Sequence, residues 1–483
     1  MRIPEDPPTI FSSTMNRPCR CSLVAALLCF SLAASGAAGA DQEPVTPADL
    51  ANQIASVVEA TYAPDQPGAV VLVVKDGSVI YRGARGMANL ELAVPLQPDM
   101  IFRLGSITKQ FTAAAIMLLV QDGKLALDDH IEKFLSDYPT QGHVITVEHL
   151  LTHTSGIQSY TDIPGWFPKR IVNDMSVTEL VDGFKKEPMQ FAPGERFAYN
   201  NSAYVLLGAI IENVSGASYE KFVNDRIFQP LGMTNTYYGN NEPIIPRRVA
   251  GYTREGSVTR NAGYLSMTQP YSAGSLISSV DDLAMWDAAL YNEKILTSAS
   301  LQRMWKPYTL ESGRSTEYGF GWEIGKLRGR DVIEHRGGIP GFSTFALRIP
   351  ESRVFVAVLC NNDNPKVRPS YIAKRLAAIA IGDPFRMPVA ANVNPTVLAA
   401  HVGVYEIDKD SRQTVIVEDN KLFTKSADGE RREAIPASDT EFFYENDLGR
   451  VRFERDAGGR TVAMLIYAEE GAEPKRAPRV PSA

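Results

Sequence analysis

What most constrains this chain is how far apart its strands lie. The segment PGAVVLVVKDGSVIYRGARG reads as a β-hairpin, with one strand at residues 70–74, Asp76-Gly77 as the turn and the return at 79–82. Strand periodicity returns after Tyr318, where FGWEIG, DVIEH, STFALRI and RVFVAVLC follow one another with short turns, as in an antiparallel sheet. An amphipathic helix at 46–62 precedes the hairpin, and a helix from about Ser370 to Ile381 follows the last strand. Early strands, a helical middle, late strands and a terminal helix predict an α+β unit. Its antiparallel sheet pairs the two ends of the chain, with helices on its faces and an all-α subdomain between.

Residues 384–396 read as a linker, with prolines at 384, 388 and 395. Residues 397–470 carry short alternating strands separated by turns such as Asp419-Asn420, which predicts a small all-β, barrel-like domain. Its aromatic residues, among them Tyr405, Phe423, Phe442, Phe443, Tyr444 and Phe453, are assigned to the barrel core. The tail at 471–483, with Pro474, Pro478 and Pro481, is expected to be disordered. Residues 238–272 are polar and weakly periodic, which predicts a long surface excursion.

The first 40 residues have the pattern of a signal peptide. Arg17 and Arg20 precede an apolar core at 23–34, and Ala38-Gly39-Ala40 is a small-residue cleavage site. The expectation is an exported, periplasmic or secreted protein whose main domain spans 41–383. Three of the four cysteines would leave with the signal. Cys360 then stands alone as a buried, inert thiol, and no internal disulfide is possible. With 49 basic and 56 acidic residues the net charge is -7, which argues against a nucleic-acid partner. No phosphate-cradling glycine loop, Gly-x-Ser-x-Gly elbow or His-Glu-x-x-His spacing is present, so no cofactor and no metal are expected. His149 and His153, four apart, are assigned to helix packing.

The chemistry concentrates in FRLGSITKQFTAAAIMLLVQDG, residues 102–123. Ser106 and Lys109 are three apart where a helix begins, so they share a face and can meet. A hydroxyl at a helix N-terminus sits where developing negative charge is favoured, and a neutral amine beside it can take its proton. Two more stretches supply what a Ser/Lys pair needs. In Tyr199-Asn200-Asn201, a phenol beside a lysine ammonium would have a lowered pKa and serve as acid or base, and Asn201 offers an amide. In EHRGGIPGF, His335 lies at a strand end, and Gly337 and Gly338 let the backbone approach a substrate closely. A backbone N–H there would complete an oxyanion hole with that of Ser106.

In the order Ser-x-x-Lys, Tyr-x-Asn, His-x-Gly, the chain resembles the penicillin-binding-protein-like serine hydrolases. That family includes class C β-lactamases, D-alanyl-D-alanine carboxypeptidases, D-aminopeptidases and related carboxylesterases. TVEHLLTHTSGI, FAPGERFAYNNSAYVLLGAIIENVSG, PLGMTNT, AGSLISSVDDLAMW and YGFGWEI look like its recurring blocks, and the likeness runs from about 45 to 385. It implies a β-lactamase/transpeptidase-like fold and an acyl-enzyme on Ser106. It also implies that Lys109 and Tyr199 share the proton work, that Asn201 orients substrate or Lys109, and that Gly338 gives the second oxyanion N–H. His335 stands where many relatives have the lysine of Lys-Thr-Gly, which weakens the case for carboxylate-bearing substrates. Arg336 is the residue that would supply the missing cation. The resemblance therefore implies an esterase or peptidase acting on a small-molecule or peptide substrate ahead of a β-lactamase or D-alanyl-D-alanine carboxypeptidase. A reading of another class is a catalytically silent binder of cell-wall fragments. The C-terminal domain resembles lipocalin-like β-domains appended to some of these hydrolases, and is expected to cover one side of the cleft.

Overall fold

The computed structural model describes residues 46–481 other than 410, 427, 428 and 430. The signal segment at 1–40 lies outside the described residues. A six-stranded antiparallel sheet runs in the order Glu323–Leu327, Arg330–Ile339, Phe342–Ile349, Val354–Cys360, Ala69–Lys75, Ser78–Arg85. The first strand of the chain pairs directly with the last of this sheet, Val71 opposite Val358. Asp76 and Gly77 turn the hairpin with φ of 51° and 76°, the left-handed pair a two-residue turn needs. Alternation along Ala69–Lys75 sends Val71 and Val73 into one core and Val70 and Leu72 into another. The strand is thus buried on both faces.

One face is covered by Pro47–Thr61 and Pro369–Ala380. The first of these helices begins with a capping box between Thr46 and Asp49 and buries Leu50, Ile54 and Val58, one per turn. The other face packs on the helical subdomain. Its centre is Thr108–Gln121, which is buried nearly all round, from Thr108 to Leu119. Beside it lies Asn201–Ser215, capped by the Asn200 side chain on the Ala203 N–H at 2.9 Å and ended by Gly216 at φ 71°. No helix among the described residues is long and apolar enough to cross a membrane.

The segment 238–272 does not stay on the surface. After a short hairpin, Tyr252–Glu255 with Val258–Asn261, it turns inward and buries Leu265, Met267, Gln269 and Tyr271. Its polarity misled because Gln269 is satisfied inside: it accepts from Trp166 Nε1 at 3.1 Å and donates to the carbonyls of Arg170 and Asn173.

The tail is not disordered as far as it is described. Lys475–Pro478 is the eighth strand of the C-terminal sheet, paired with Thr461–Tyr467. Val480 N–H then reaches Val404 O at 2.8 Å, and Tyr405 bridges Arg479, so the last strand meets the first and nearly closes the barrel. Pro474 precedes that strand and Pro478 is its last residue, so neither interrupts it, and Ala477 is fully buried.

The barrel core holds Tyr405, Phe442, Tyr444 and Phe453, whereas Phe423 is half-buried under the Arg431 guanidinium, 3.7 Å from its ring. The barrel grips the main sheet through Arg328, in the turn between Glu323–Leu327 and Arg330–Ile339. Arg328 donates to Glu470 O at 2.6 Å, pairs with Asp383 and lies over the Phe385 ring at 5.0 Å; its backbone N–H goes to Glu469.

Candidate active site

Ser106 sits in a single tight turn, Gly105–Ile107, just ahead of Thr108–Gln121. Gly105 holds φ 55°, and a Cβ there would come within 2.9 Å of Gly338 N. A Cβ on Gly337 would fall 1.9 Å from Leu104 O. Only glycines at these positions let the strand backbone abut the serine turn. Thr344 Oγ1 fastens the two by donating to Leu104 O at 2.8 Å.

Lys109, one turn on, is fully buried. Its Nζ lies 3.1 Å from Ser106 Oγ, 2.8 Å from Asn201 Oδ1 and 2.9 Å from Ala273 O. None of these partners is charged. Burial therefore holds the amine well below the ordinary lysine pKa. A neutral amine has two N–H bonds and one lone pair. The amide oxygen and the carbonyl can only accept, so they take the two N–H bonds. The lone pair is left for the Ser106 O–H. Asn201 is held in this orientation by Nδ2 donating to Thr161 Oγ1 at 3.2 Å.

Tyr199 presents its ring to Lys109 Nζ at 4.8 Å from the centroid. The expected lowering of its pKa is overturned. Burial pushes the phenol up, and Ser106 and Arg336 offset only part of the rise. The lysine ammonium that was to lower it is itself suppressed by the same burial. The Tyr199 hydroxyl is buried and makes no hydrogen bond of acceptable geometry. Burial thus favours the neutral phenol at Tyr199, and the same burial favours the neutral, proton-accepting form of the Lys109 amine.

His335 lies inside a strand rather than at its end, because Arg330–Ile339 continues through both glycines. Its Nε2 meets Tyr318 Oη at 2.9 Å and its Nδ1 meets Arg336 O at 2.7 Å. The carbonyl can only accept, which places the ring proton on Nδ1 and leaves Nε2 to accept from Tyr318. Burial lowers its pKa to about 3, so the ring is neutral. Gly337 is buried against Leu104 and does not face the cleft. Arg336 points to solvent, 77% exposed, and is ion-paired with Glu323 at 3.2 Å.

A cleft of about 80 Å³ opens onto Ser106. Asn201, Gly338 and Ala273 form its polar and backbone wall, and Tyr160, Phe167, Ile171, Leu265, Ile339 and Pro340 its apolar wall. No charged side chain lines it, and neither does any barrel residue. The expectation that the barrel covers one side of the cleft does not hold; Arg328 holds the barrel at the far end of the hairpin. Three further residues contribute here without a sequence signal of their own: Leu265 from the polar segment 238–272, Tyr318 at the start of YGFGWEI, and His153 four residues after His149. The histidine pair does not share a helical face. His149 accepts the Thr146 N–H at 3.2 Å within a helix, Val147–Leu151, that ends before His153.

A sheet flanked by helices, with a Ser-x-x-Lys turn wedged between the sheet and the helical subdomain, defines the serine hydrolases of the penicillin-binding-protein kind. The Beta-lactamase family model matches residues 54–380, and the chain belongs to that family. Penicillin-binding protein 4* of Bacillus subtilis (strain 168) is 31% identical over 441 residues, 84% of this chain and 94% of that protein. Among solved structures, the octameric penicillin-binding protein homologue from Pyrococcus abyssi matches with a TM-score of 0.61 at 29% identity, covering 86% of this chain and 95% of that one. D-amino acid amidase from Ochrobactrum anthropi SV3 matches with a TM-score of 0.59 at 25% identity, over 69% and 98%. The protein is a serine hydrolase.

Proposed function

We propose that this is an exported hydrolase that cleaves esters or amides with a small apolar acyl group and no free carboxylate, through an acyl-enzyme on Ser106. The observation that carries the proposal is a buried Lys109 amine with no charged partner, 3.1 Å from Ser106 Oγ, at a cleft lined by no charged side chain. Lys109 takes the Ser106 proton as Oγ bonds to the carbonyl carbon. The N–H groups of Ser106 and Gly338 hold the oxyanion. The proton then passes by way of Tyr199 to the departing alcohol or amine as the C–O or C–N bond breaks. Water gives a proton back along the same path while its oxygen attacks the acyl-enzyme, and Ser106 is restored. His335 braces this wall as a neutral hydrogen-bonding group and supplies no charge.

The apolar wall supports a small hydrophobic acyl group. The amide arm is supported by the likeness to D-amino acid amidase. A β-lactam or a D-alanyl peptide carries a carboxylate, and would need Arg336 to leave Glu323. Export rests on the signal pattern at 1–40, and cell-wall peptide remains the substrate or ligand of the less favoured readings.

The test is turnover of the chain from Asp41 onward against p-nitrophenyl acetate, phenylalanine amide in both hands, a chromogenic cephalosporin and a D-alanyl-D-alanine peptide. Ser106→Ala is run beside it, and intact-mass spectra are recorded during turnover. Ester or amide cleavage lost in Ser106→Ala, with a mass increment on the peptide containing Ser106, is expected. Activity that survives Ser106→Ala overturns the mechanism. Turnover led by the cephalosporin or the D-alanyl peptide overturns the substrate class, and binding of cell-wall fragments without turnover of anything returns the silent-binder reading. N-terminal sequencing of protein recovered outside the cytoplasm checks export, with Asp41 expected as the first residue.

A further inference from the structure

We propose that His153 is a positioning residue that fixes Tyr199 from behind, by binding the backbone on both sides of it. The inference rests on the reading that Tyr199 moves the proton. Tyr199 belongs to neither helix nor strand: residues 196–200 are irregular and the helix starts only at Asn201. Its hydroxyl makes no hydrogen bond of acceptable geometry to anchor it. Something else must hold the phenol against Lys109.

His153 makes both of the backbone contacts that do so. Its carbonyl oxygen accepts the Ala198 N–H at 2.9 Å. Its ring Nδ1 accepts the Asn200 N–H at 3.0 Å. The ring itself lies against the Tyr199 ring, with centroids 4.4 Å apart. One residue thus grips the positions before and after Tyr199 and supports its side chain between them. Three features bring this about. His153 takes φ 59°, which turns its carbonyl and its side chain toward the same segment. The residue is fully buried. Tyr204 and Tyr318 pack against its ring, with centroids at 5.0 and 4.7 Å. With Nδ1 accepting, the ring proton is on Nε2, which has no partner. Burial keeps the ring neutral, as the acceptor role requires. An Nε2–H without an acceptor has no route to relay a proton, so His153 acts on geometry alone.

The experiment is a double-mutant cycle in the full chain with p-nitrophenyl acetate: His153→Phe, Tyr199→Phe and the pair, with His153→Asn as the conservative variant. Asparagine tolerates positive φ and can place Oδ1 where Nδ1 accepts; phenylalanine keeps the ring and loses the acceptor. His153→Phe is expected to lower kcat about 30- to 100-fold with KM within about 2-fold, since misplacing a reacting group by an ångström costs about that much. In the Tyr199→Phe background the same change is expected to cost less than about 3-fold, because the group it positions is gone. His153→Asn is expected to stay within about 5-fold of wild type. Equal losses in both backgrounds overturn the proposal, as does His153→Asn falling as far as His153→Phe while melting like wild type. If His153→Phe fails to fold, His153→Asn decides alone: retained kcat supports the acceptor role and a loss of 30-fold or more at wild-type Tm overturns it. Ser106→Ala retaining activity would instead sink the serine-hydrolase mechanism beneath it, a different result from any of these.

Discussion

Around Ser106 the fold buries polar atoms and leaves several without partners, whereas the barrel buries polar atoms and satisfies them. Tyr199 Oη and His153 Nε2 have no hydrogen bond, and Lys109 has only neutral company. In the barrel, His401 is equally buried, yet both its nitrogens are engaged, Nδ1 with Thr461 Oγ1 and Nε2 with Asp439 O, each at 2.9 Å. Its ring stacks on Phe453 at 4.1 Å, and its carbonyl accepts from Tyr405 Oη at 2.6 Å. Thr424 and Tyr444 likewise close on each other at 3.0 Å. Among the described residues no barrel side chain leaves a buried nitrogen or oxygen unpartnered. Each orphaned group costs about 1–3 kcal/mol. At the cleft that cost accompanies a buried Tyr199 phenol and Lys109 amine placed to exchange a proton; at the barrel end the same residue types are spent on closure. One region is arranged for reaction and the other for stability, and mutations should separate the two.

The widest separation is expected at Lys109. Lys109→Met removes the base and keeps the stem, so kcat should fall about 1,000-fold or more. Stability should move the other way. Burial lowers the amine's pKa in the folded chain, so unfolding takes up a proton between the folded and unfolded values. This penalty begins below the unfolded lysine pKa of about 10.4 and saturates below the depressed folded value. Methionine lacks it, and Tm at pH 7 is expected at or above wild type. Calorimetry beside ester kinetics checks both halves; a large fall in Tm would break the comparison.

His401→Ala should give the mirror image. It removes a stacked ring and leaves Thr461 and the Asp439 carbonyl unpaired. A loss of about 2–4 kcal/mol is expected, read from denaturant unfolding, with kcat unchanged within about 2-fold. Because the barrel touches the main sheet at Arg328 and not at the cleft, a large change in substrate preference would mean that the two regions are coupled.

Much of the fold was legible for local reasons. Alternating valines with an Asp-Gly turn announce the hairpin, and a serine and lysine three apart on an apolar helix can meet wherever that helix packs. What escaped depends on partners far away in sequence. The protonation of Tyr199 is set by burial among residues such as Lys109, Tyr318 and His335, none of them near it in the chain. The clamp from His153 spans 47 residues to Asn200. Gln269 reads as a surface residue until three backbone and side-chain partners from 166–173 are seen around it. The tail strand ends in Pro478 with Pro474 just before it, and only the open edge of Thr461–Tyr467 makes it a strand.

His335 sharpens the comparison because it lies in the reactive region yet is hydrogen-bonded on both sides, like His401. With its pKa lowered to about 3 it should not titrate in the working range. His335→Gln is expected to lower kcat/KM about 10-fold through lost support for Tyr318 while leaving the acid limb of the pH profile in place, since His335 adds no ionisation to it. A limb near pH 6 that vanishes in the variant would make His335 an ionising participant. Its stability contribution has a definite sign: the unfolded imidazole takes a proton below about 6.5 and the folded one only near 3, so folding is progressively weakened as pH falls through that window.

The smallest effect is expected at Arg336, and it bears directly on substrate class. The side chain is exposed and paired with Glu323 across a solvent-facing edge, a geometry worth less than about 1 kcal/mol. For neutral esters Arg336→Ala should therefore change kcat/KM less than about 3-fold. A substrate carboxylate is a different matter, because it would compete with Glu323 for the guanidinium at the rim beyond Gly338. If the variant raises KM for carboxylate-bearing substrates about 10-fold while sparing neutral ones, Arg336 is recruited during binding and the neutral-substrate proposal is too narrow. If KM stays level for both, the cleft has no cation to offer, and the uncharged wall around Ser106 defines what the protein can hold.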